Sequence, residues 1–209
     1  MKFHFLSPKI YDWLHLLKSY RKYVSKEDTV LEIGASSPER TKELSRWCKK
    51  IIGVELIPER KPKDFANVKY LVGDWQNLSK LISPGSVDLA ISSHTIEHVQ
   101  DDLKAINELY KVLKPGGVVL FNTPNRERFT RKIVESFSKK RQFPYWEHIR
   151  EYSENDLSNL LNKTLFKNYK IFPVVFGFHG RPIFFYLESV PGYFREMANY
   201  WEVHLKKEK

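Results

Sequence analysis

Short apolar runs alternate with amphipathic segments along most of this chain. The runs have the length and the β-branched content of buried strands, and they lie at 29–33, 51–55, 68–72, 86–92 and 118–121. Between them, residues 38–48 and 101–113 have helical spacing, with Pro38 at one start and Pro115 just after one end. Strands that alternate with helices predict a parallel sheet covered on both faces. The pattern therefore predicts an α/β domain with a doubly wound, mostly parallel sheet of about seven strands, the last strand antiparallel.

The two flanks of this pattern are less regular. Residues 8–24 place apolar side chains at helical spacing and predict a helix that packs on the sheet or over a cleft at its edge. After residue 121 we expect a basic helix at 126–140 and a second helix that is capped by Ser153 and continues to about 161. Two strands should follow, at 170–176 and 182–188, joined through 177–180. A last helix is expected after Pro191-Gly192.

Composition narrows the functional classes. The 209 residues suit one domain spanning 1–209, and the one cysteine, Cys48, excludes a disulfide within the chain. No apolar stretch approaches the 18 residues of a membrane span, and the start lacks the features of a signal peptide, so we expect a cytoplasmic protein. A net charge of +10 favours anionic partners: nucleic acid, an anionic lipid surface or a phosphorylated small molecule.

A glycine turn follows the first predicted strand, in the segment Val30-Leu31-Glu32-Ile33-Gly34-Ala35-Ser36. A strand that enters a tight turn and then a helix brings backbone close to a ligand at the carboxyl end of a sheet. Glu55 ends the next strand, 21 residues after Gly34. An acidic side chain at such a position can accept both hydroxyls of a ribose, as in dinucleotide-binding folds.

Four motifs in this order resemble those of the class I S-adenosylmethionine-dependent methyltransferases, which have a Rossmann-like fold. They are the glycine turn, Leu71-Val72-Gly73-Asp74, the segment Ser86–Val99, and Leu113-Lys114-Pro115-Gly116-Gly117, which is typical of the small-molecule branch. Glu147–Ser153 also resembles a stretch near the acceptor site of that branch. The resemblance implies S-adenosylmethionine as cofactor. We interpret 1–26 as a helical extension and 126–165 as an insertion that covers the substrate.

The resemblance also implies roles for individual residues. Glu32 would reach the methionine end of the cofactor, with backbone contacts at Gly34, Ala35 and Ser36, although the family has glycine where Ser36 stands. Asp74 would accept the adenine amino group, and Trp75 could stack on the ring. The remaining positions assigned to the cofactor are Leu56, Gly73, Ser92 and Ser93.

Methyl transfer to an acceptor oxygen or nitrogen can require a base, and four residues are candidates: His94, Glu97, His98 and His148. The first three have the spacing i, i+3, i+4, so on a helix they would share one face. That face could hold a base or a divalent metal, or it could be a helix start without a catalytic role. We favour the last interpretation and assign no metal ligand.

The sequence therefore predicts a methyltransferase that acts on a small-molecule acceptor through oxygen or nitrogen, and the basic, aromatic region after residue 126 favours an anionic or amphiphilic acceptor. An RNA methyltransferase would use the same basic surface, but no RNA-binding motif is visible. A non-catalytic scaffold with a cofactor fold is supported only by Ser36. A dehydrogenase is disfavoured because residues 34, 36 and 39 are Gly, Ser and Glu rather than three glycines.

Overall fold

The computed structural model describes residues 2–3, 8–137, 147–180, 183–187 and 189–209. Its α-helices are α1 (Pro8–Tyr23), α2 (Pro38–Ser45), α3 (Asp102–Val112), α4 (Phe129–Phe137) and α5 (Glu154–Leu161). Its strands are β1 (Lys2–Phe3), β2 (Thr29–Ile33), β3 (Lys50–Glu55), β4 (Val68–Val72), β5 (Val87–Ser93), β6 (Leu113–Pro124), β7 (Asn168–Val174), β8 (Phe176–Gly180), β9 (Ile183–Leu187) and β10 (Tyr200–Lys206).

Seven of these strands form one sheet in the order β4-β3-β2-β5-β6-β10-β7. The pairs from β4 to β6 are all parallel, and β10 runs antiparallel to both β6 and β7. The predicted fold class is confirmed, including a last strand that is antiparallel. This strand lies between two others rather than at the edge of the sheet.

The two faces of the sheet bury separate cores, as a doubly wound fold requires. On one face, Leu16 and Tyr20 of α1 and Leu44 of α2 pack against the sheet. On the other face, α3 and α5 pack together with Trp201 of β10. The cap of α5 forms as predicted, because the Ser153 hydroxyl accepts from the Asp156 amide while the Asp156 carboxylate accepts from the Ser153 amide.

Two predictions after residue 165 are wrong. Residues 177–180 belong to β8 rather than to a connection, and β8 pairs with β9, which also pairs with β1, in a second, three-stranded sheet. The predicted strand at 182–188 forms as β9, in this second sheet. After Pro191 there is only a short 3-10 helix, Gly192–Met197, and then β10 in place of the last helix. The basic run at 139–141 lies outside the described residues.

Among the described residues, no helix has both the length and the apolar character that a membrane crossing needs.

Candidate active site

The predicted cofactor residues come together at one edge of the main sheet. They lie at the carboxyl ends of β2, β3, β4 and β5 or just after them, and because these strands are parallel neighbours, their carboxyl ends meet at the same edge. This is the place where open α/β sheets bind their ligands.

Gly34 makes the turn after β2 possible. Its φ is +72°, in the left-handed region, and a Cβ there would lie 2.4 Å from the Thr95 hydroxyl oxygen. The Gly34 and Ala35 amides both donate to the Val54 carbonyl, at 2.9 and 3.2 Å. Ser36 has no positive φ, so its backbone does not require the glycine that the family has there.

Glu32 is the buried carboxylate of this edge. Its side chain faces a cavity of ≈90 Å³ lined by Trp13, Glu32, Ile33, Gly34, Ser36, Ser37, Arg40, Ile91, Ser92 and Ser93. The residue is 7% exposed, and its Oε2 atom accepts no hydrogen bond. Burial raises the pKa of Glu32 to about 7, against the opposing effects of the Thr41 hydrogen bond and the Arg40 charge. A cationic ligand in the cavity would complete the bonding of this carboxylate.

Arg40 brings a positive charge to the same cavity. It lies over the Trp13 ring, 4.8 Å from its centroid, and its Nη1 is 3.5 Å from the Ser93 hydroxyl. Arg40 and Trp13 were not among the predicted site residues. The position of Trp13 in the helix predicted to cover the cleft is the sequence feature that could have indicated it. Together, Glu32 and Arg40 place opposite charges on one small cavity.

The other cofactor positions continue along the edge. Glu55 is buried, and its Oε1 accepts from the Ile57 amide at 3.1 Å. Leu56 beside it is 63% exposed. The Gly73 amide donates to the Glu55 carbonyl, and Asp74 accepts from the Gln76 amide at 2.8 Å. Ser92 is buried, and its hydroxyl donates to the Ile33 carbonyl at 3.3 Å.

Trp75 occupies a different environment from the predicted one. Its ring is 3% exposed and packs in the core with Leu78 and Leu109. A buried ring has no open face for an adenine, so the stacking role does not fit the structure. Leu56 is the apolar side chain that this edge exposes next to Glu55.

The trio His94, Glu97 and His98 does not share a helix face, which corrects the sequence analysis. His94 has a φ of +52° and precedes the 3-10 helix Ile96–His98. His94 Nδ1 lies 3.3 Å from Glu97 Oε1, while His98 Nδ1 donates to the Glu147 carbonyl at 2.8 Å. Because of this turn, the His94 imidazole contacts Glu97 and the His98 imidazole contacts the Glu147 carbonyl.

His94 lies between two buried carboxylates. Its Nε2 bonds to Asp12 of α1 and its Nδ1 pairs with Glu97, while Asn122 also donates to Asp12. Although burial lowers the pKa of His94, the two carboxylates, Asp12 first, raise it to about 10. The imidazole is therefore a cation at neutral pH and cannot accept a proton. Asp12 was missed, although a carboxylate on the buried stripe of α1 with Leu16 and Tyr20 signals a buried partner.

His148 lies in a second buried charge cluster. Its Nδ1 is 3.0 Å from Glu151, which also accepts from Arg128 and Arg131 at 2.8 and 2.9 Å. Burial raises the pKa of Glu151, but the His148 hydrogen bond and the two arginines have a larger opposite effect, and the pKa is lowered to about 2. The cluster fixes the segment before α5 against α4, and it brings the His148 ring to 4.9 Å from the His98 ring.

Three cavities of greater volume in the described part of the chain contain none of the predicted cofactor residues. One of them, ≈630 Å³, lies beside the amino-terminal half of β6 and is lined in part by Tyr23, Val118 and Lys206. It contains none of the predicted site residues. We place the site at the carboxyl edge because the turn, the buried carboxylates and Arg40 meet there.

Comparison with known proteins agrees with this geometry. A family model described as "Methyltransferase domain" matches residues 4–171. A Mycolicibacterium smegmatis protein named "Probable S-adenosylmethionine-dependent methyltransferase" is 37% identical over 93 residues, which cover 44% of this chain and 33% of the relative. A ubiquinone biosynthesis O-methyltransferase of Xanthomonas campestris is 28% identical over 104 residues, 46% of this chain and 43% of the relative. The chain thus spans less than half the length of either relative.

Among solved structures, a Thermotoga maritima protein described as an S-adenosylmethionine-dependent methyltransferase and possible histamine N-methyltransferase superimposes with a TM-score of 0.66. The match covers 96% of this chain and 92% of that one at 23% identity, and so shows the shared fold. Because the family model covers most of the chain and the fold agrees, the chain belongs to the class I S-adenosylmethionine-dependent methyltransferase family.

Proposed function

We propose that the chain binds S-adenosylmethionine at the carboxyl edge of its sheet and transfers the methyl group to an oxygen or nitrogen atom of a small molecule. The observation that carries this proposal is the buried Glu32 carboxylate with one unbonded oxygen, on the same cavity as Arg40. The methionine end of the cofactor carries an ammonium and a carboxylate, and these charges match Glu32 and Arg40. A site of this kind suits a zwitterionic amino acid.

The remaining edge residues fit the adenosine part. The cavity over Glu32 is much smaller than the roughly 300–1,000 Å³ of a typical ligand pocket, so the adenosine would lie along the open edge. There Glu55 would accept the ribose hydroxyls, and the exposed Leu56 would contact the base. Asp74 keeps acceptor capacity beyond its bonds to Gln76, as two-oxygen carboxylates do. Ser36 does not obstruct the turn, and this removes the support for a non-catalytic scaffold.

When bound, the cofactor supplies an electrophilic methyl group on a sulfonium, and transfer neutralises its charge. The chain's main task is then to align the acceptor with that methyl, which is a positioning effect. Asp12 and Glu97 face this edge with one cation, His94, between them. With ionised Glu32 and with Arg40, these groups carry a net charge of −1, which suits a sulfonium. Because His94 is already protonated, His98 and His148 remain the candidate bases.

The acceptor side is bordered by both charged and apolar groups. Arg126, just before α4, is exposed, whereas Arg128 and Arg131 pair with Glu151; the exposed apolar side chains of the same segment include Phe137 and Ile149. This mixture supports an anionic or amphiphilic acceptor beneath the 126–165 segment, which we propose acts as the cover and of which 138–146 lie outside the described residues. The relative from Xanthomonas campestris acts on oxygen according to its name, and it supports the oxygen alternative.

Calorimetric titration tests the cofactor part of this proposal. We expect S-adenosylmethionine and S-adenosylhomocysteine to bind at micromolar concentration and NADH not to bind. Glu32→Gln should weaken both sulfur cofactors, while Glu39→Gln, which changes an exposed carboxylate on α2, should not. A folded protein that binds neither sulfur cofactor would refute the proposal. Salt-dependent RNA binding together with RNA methylation would replace the small-molecule acceptor by RNA.

A further inference from the structure

Three side chains that can ligate a metal converge beside the cofactor edge. Glu97 and His98 lie in the 3-10 helix after β5, and His148 comes from the segment before α5. One ligand atom from each lies within 4.8 Å of the other two. This set differs from the trio considered in the sequence analysis, because His148 takes the place of His94.

Hydrogen bonds orient both imidazoles of this set. His98 Nδ1 donates to the Glu147 carbonyl at 2.8 Å, and His148 Nδ1 donates to Glu151 Oε1 at 3.0 Å. A neutral imidazole that carries its proton on Nδ1 has its lone pair on Nε2. Metal-binding histidines almost always donate their other ring nitrogen to a carbonyl or a carboxylate in this way. Both histidines therefore have the partner that such ligands have.

The carboxylate of the set has an unsatisfied oxygen. Glu97 is 0% exposed, and its Oε2 accepts from the Thr123 hydroxyl at 3.1 Å, but Oε1 accepts no hydrogen bond. The neighbour of Oε1 is His94 Nδ1, at an ion-pair distance of 3.3 Å. A carboxylate has about four lone-pair sites, so Glu97 can ligate a metal in addition to its contacts with Thr123 and His94.

We propose that Glu97, His98 and His148 bind a divalent transition metal ion of the Zn²⁺ type. An ion at the centre of three atoms no more than 4.8 Å apart lies within about 2.8 Å of each, so small side-chain rotations would bring the ligands to the roughly 2.0–2.2 Å of zinc sites. Two imidazoles and one carboxylate are a ligand set of catalytic zinc sites, in which the fourth position stays open. The exposed His98 puts that open position toward solvent.

The open position could bind an oxygen of the acceptor. Only this role of the metal rests on the proposed function. The binding of the metal itself does not depend on the cofactor. The two proposals can therefore fail separately.

Titration of the untagged, metal-free protein with Co²⁺ tests the site, because bound Co²⁺ reports its coordination in the visible spectrum. We expect one Co²⁺ per chain, displaced by Zn²⁺, and affinity at least about tenfold weaker in His98→Ala and in His148→Ala. His15→Ala is the matched control, since His15 also contacts a carboxylate, Glu202, but lies outside the set. Its Co²⁺ affinity should equal that of the unchanged protein.

His98→Ala changes an exposed side chain, so its fold should survive, and its thermal midpoint checks this. The proposal is overturned if the unchanged protein binds no Co²⁺, if His98→Ala and His148→Ala bind it equally well, or if His15→Ala weakens it as much. S-adenosylhomocysteine binding is measured on the same sample. Cofactor binding without Co²⁺ binding refutes only the metal site, and the reverse refutes only the cofactor site.

Discussion

The buried Glu32 should make the ligand-free protein less stable as pH rises from 4.5 to about 7. Its pKa is 4.5 when unfolded and about 7 when folded, because burial disfavours the charged form. The folded state therefore binds this proton more tightly. Its contribution to the free energy of unfolding is fully present below 4.5 and is lost as pH rises through 7. A shift of this size corresponds to about 3 kcal/mol in total, of which about 2 kcal/mol falls between pH 4.5 and 6.5.

Other shifted groups act mainly outside this window. Carboxyls whose pKa is lowered contribute stability that is present above about 4.5 and is lost at lower pH; they are Glu97, Glu108, Glu151 and Glu202. The raised pKa of His94 contributes stability below about 6.5 that is lost as pH rises through 10. At pH 4.5 each of these carboxyls still lacks about 0.4 kcal/mol of its full contribution, because half of its unfolded form is protonated. These contributions are the same in Glu32→Gln, so the difference between the two proteins between pH 4.5 and 6.5 reports on Glu32.

Urea unfolding at pH 4.5, 5.5 and 6.5, followed by circular dichroism, measures the effect. Relative to Glu32→Gln, the unchanged protein should lose about 2 kcal/mol across the series, because the contributions of the other groups are common to both proteins and cancel in the difference. Glu39→Gln removes an exposed carboxylate and should follow the unchanged protein. Parallel slopes for Glu32→Gln and the unchanged protein would refute the assigned burial and pKa of Glu32.

Four further predictions concern the same edge. S-adenosylhomocysteine should bind about eightfold more weakly at pH 6 than at pH 7.5, because protonation of Glu32 removes its charge. Calorimetry of Glu32→Gln should show no such loss. Glu55→Ala and Asp74→Ala should each weaken cofactor binding about tenfold or more, because cofactor donors lose their acceptors; unchanged affinity in both would remove these assignments. Gly34→Ala should destabilise the fold by more than about 1 kcal/mol in urea unfolding, since φ is positive and Thr95 lies in the way, and wild-type stability would contradict this. His94→Asn should lower the free energy of unfolding by about 3 kcal/mol at pH 7, because it leaves two buried carboxylates without their cation. The difference in stability between this variant and the unchanged protein should shrink as pH rises through 10, and a constant difference would show that the charge is not involved.

The last strand shows where the predicted helix and the structure disagreed. In Tyr200–Lys206 the apolar residues Trp201, Val203 and Leu205 alternate with Glu202 and His204, which is the period of a strand. The sequence analysis nevertheless expected a helix, because Pro191-Gly192 signals a helix start. In the structure Glu202 is fully buried, and it accepts from His15 and Ser19 of α1 at 2.7 and 2.5 Å. A buried carboxylate in a central strand is stable only with such distant partners. The sequence around Glu202 does not indicate which residues these are.

The sequence by itself determined the parallel sheet and the edge where the cofactor residues meet. Apolar runs specify the buried strands, and parallel strands end at one edge, so Glu32, Glu55 and Asp74 had to lie near each other. Tertiary structure alone decided which charges pair. It buried Trp75, placed Asp12 and Glu97 on either side of His94, and brought His148 to Glu97 across 51 positions of chain. Such contacts depend on where helices and loops pack over the edge, and pairing across that distance leaves no periodic signal in the sequence.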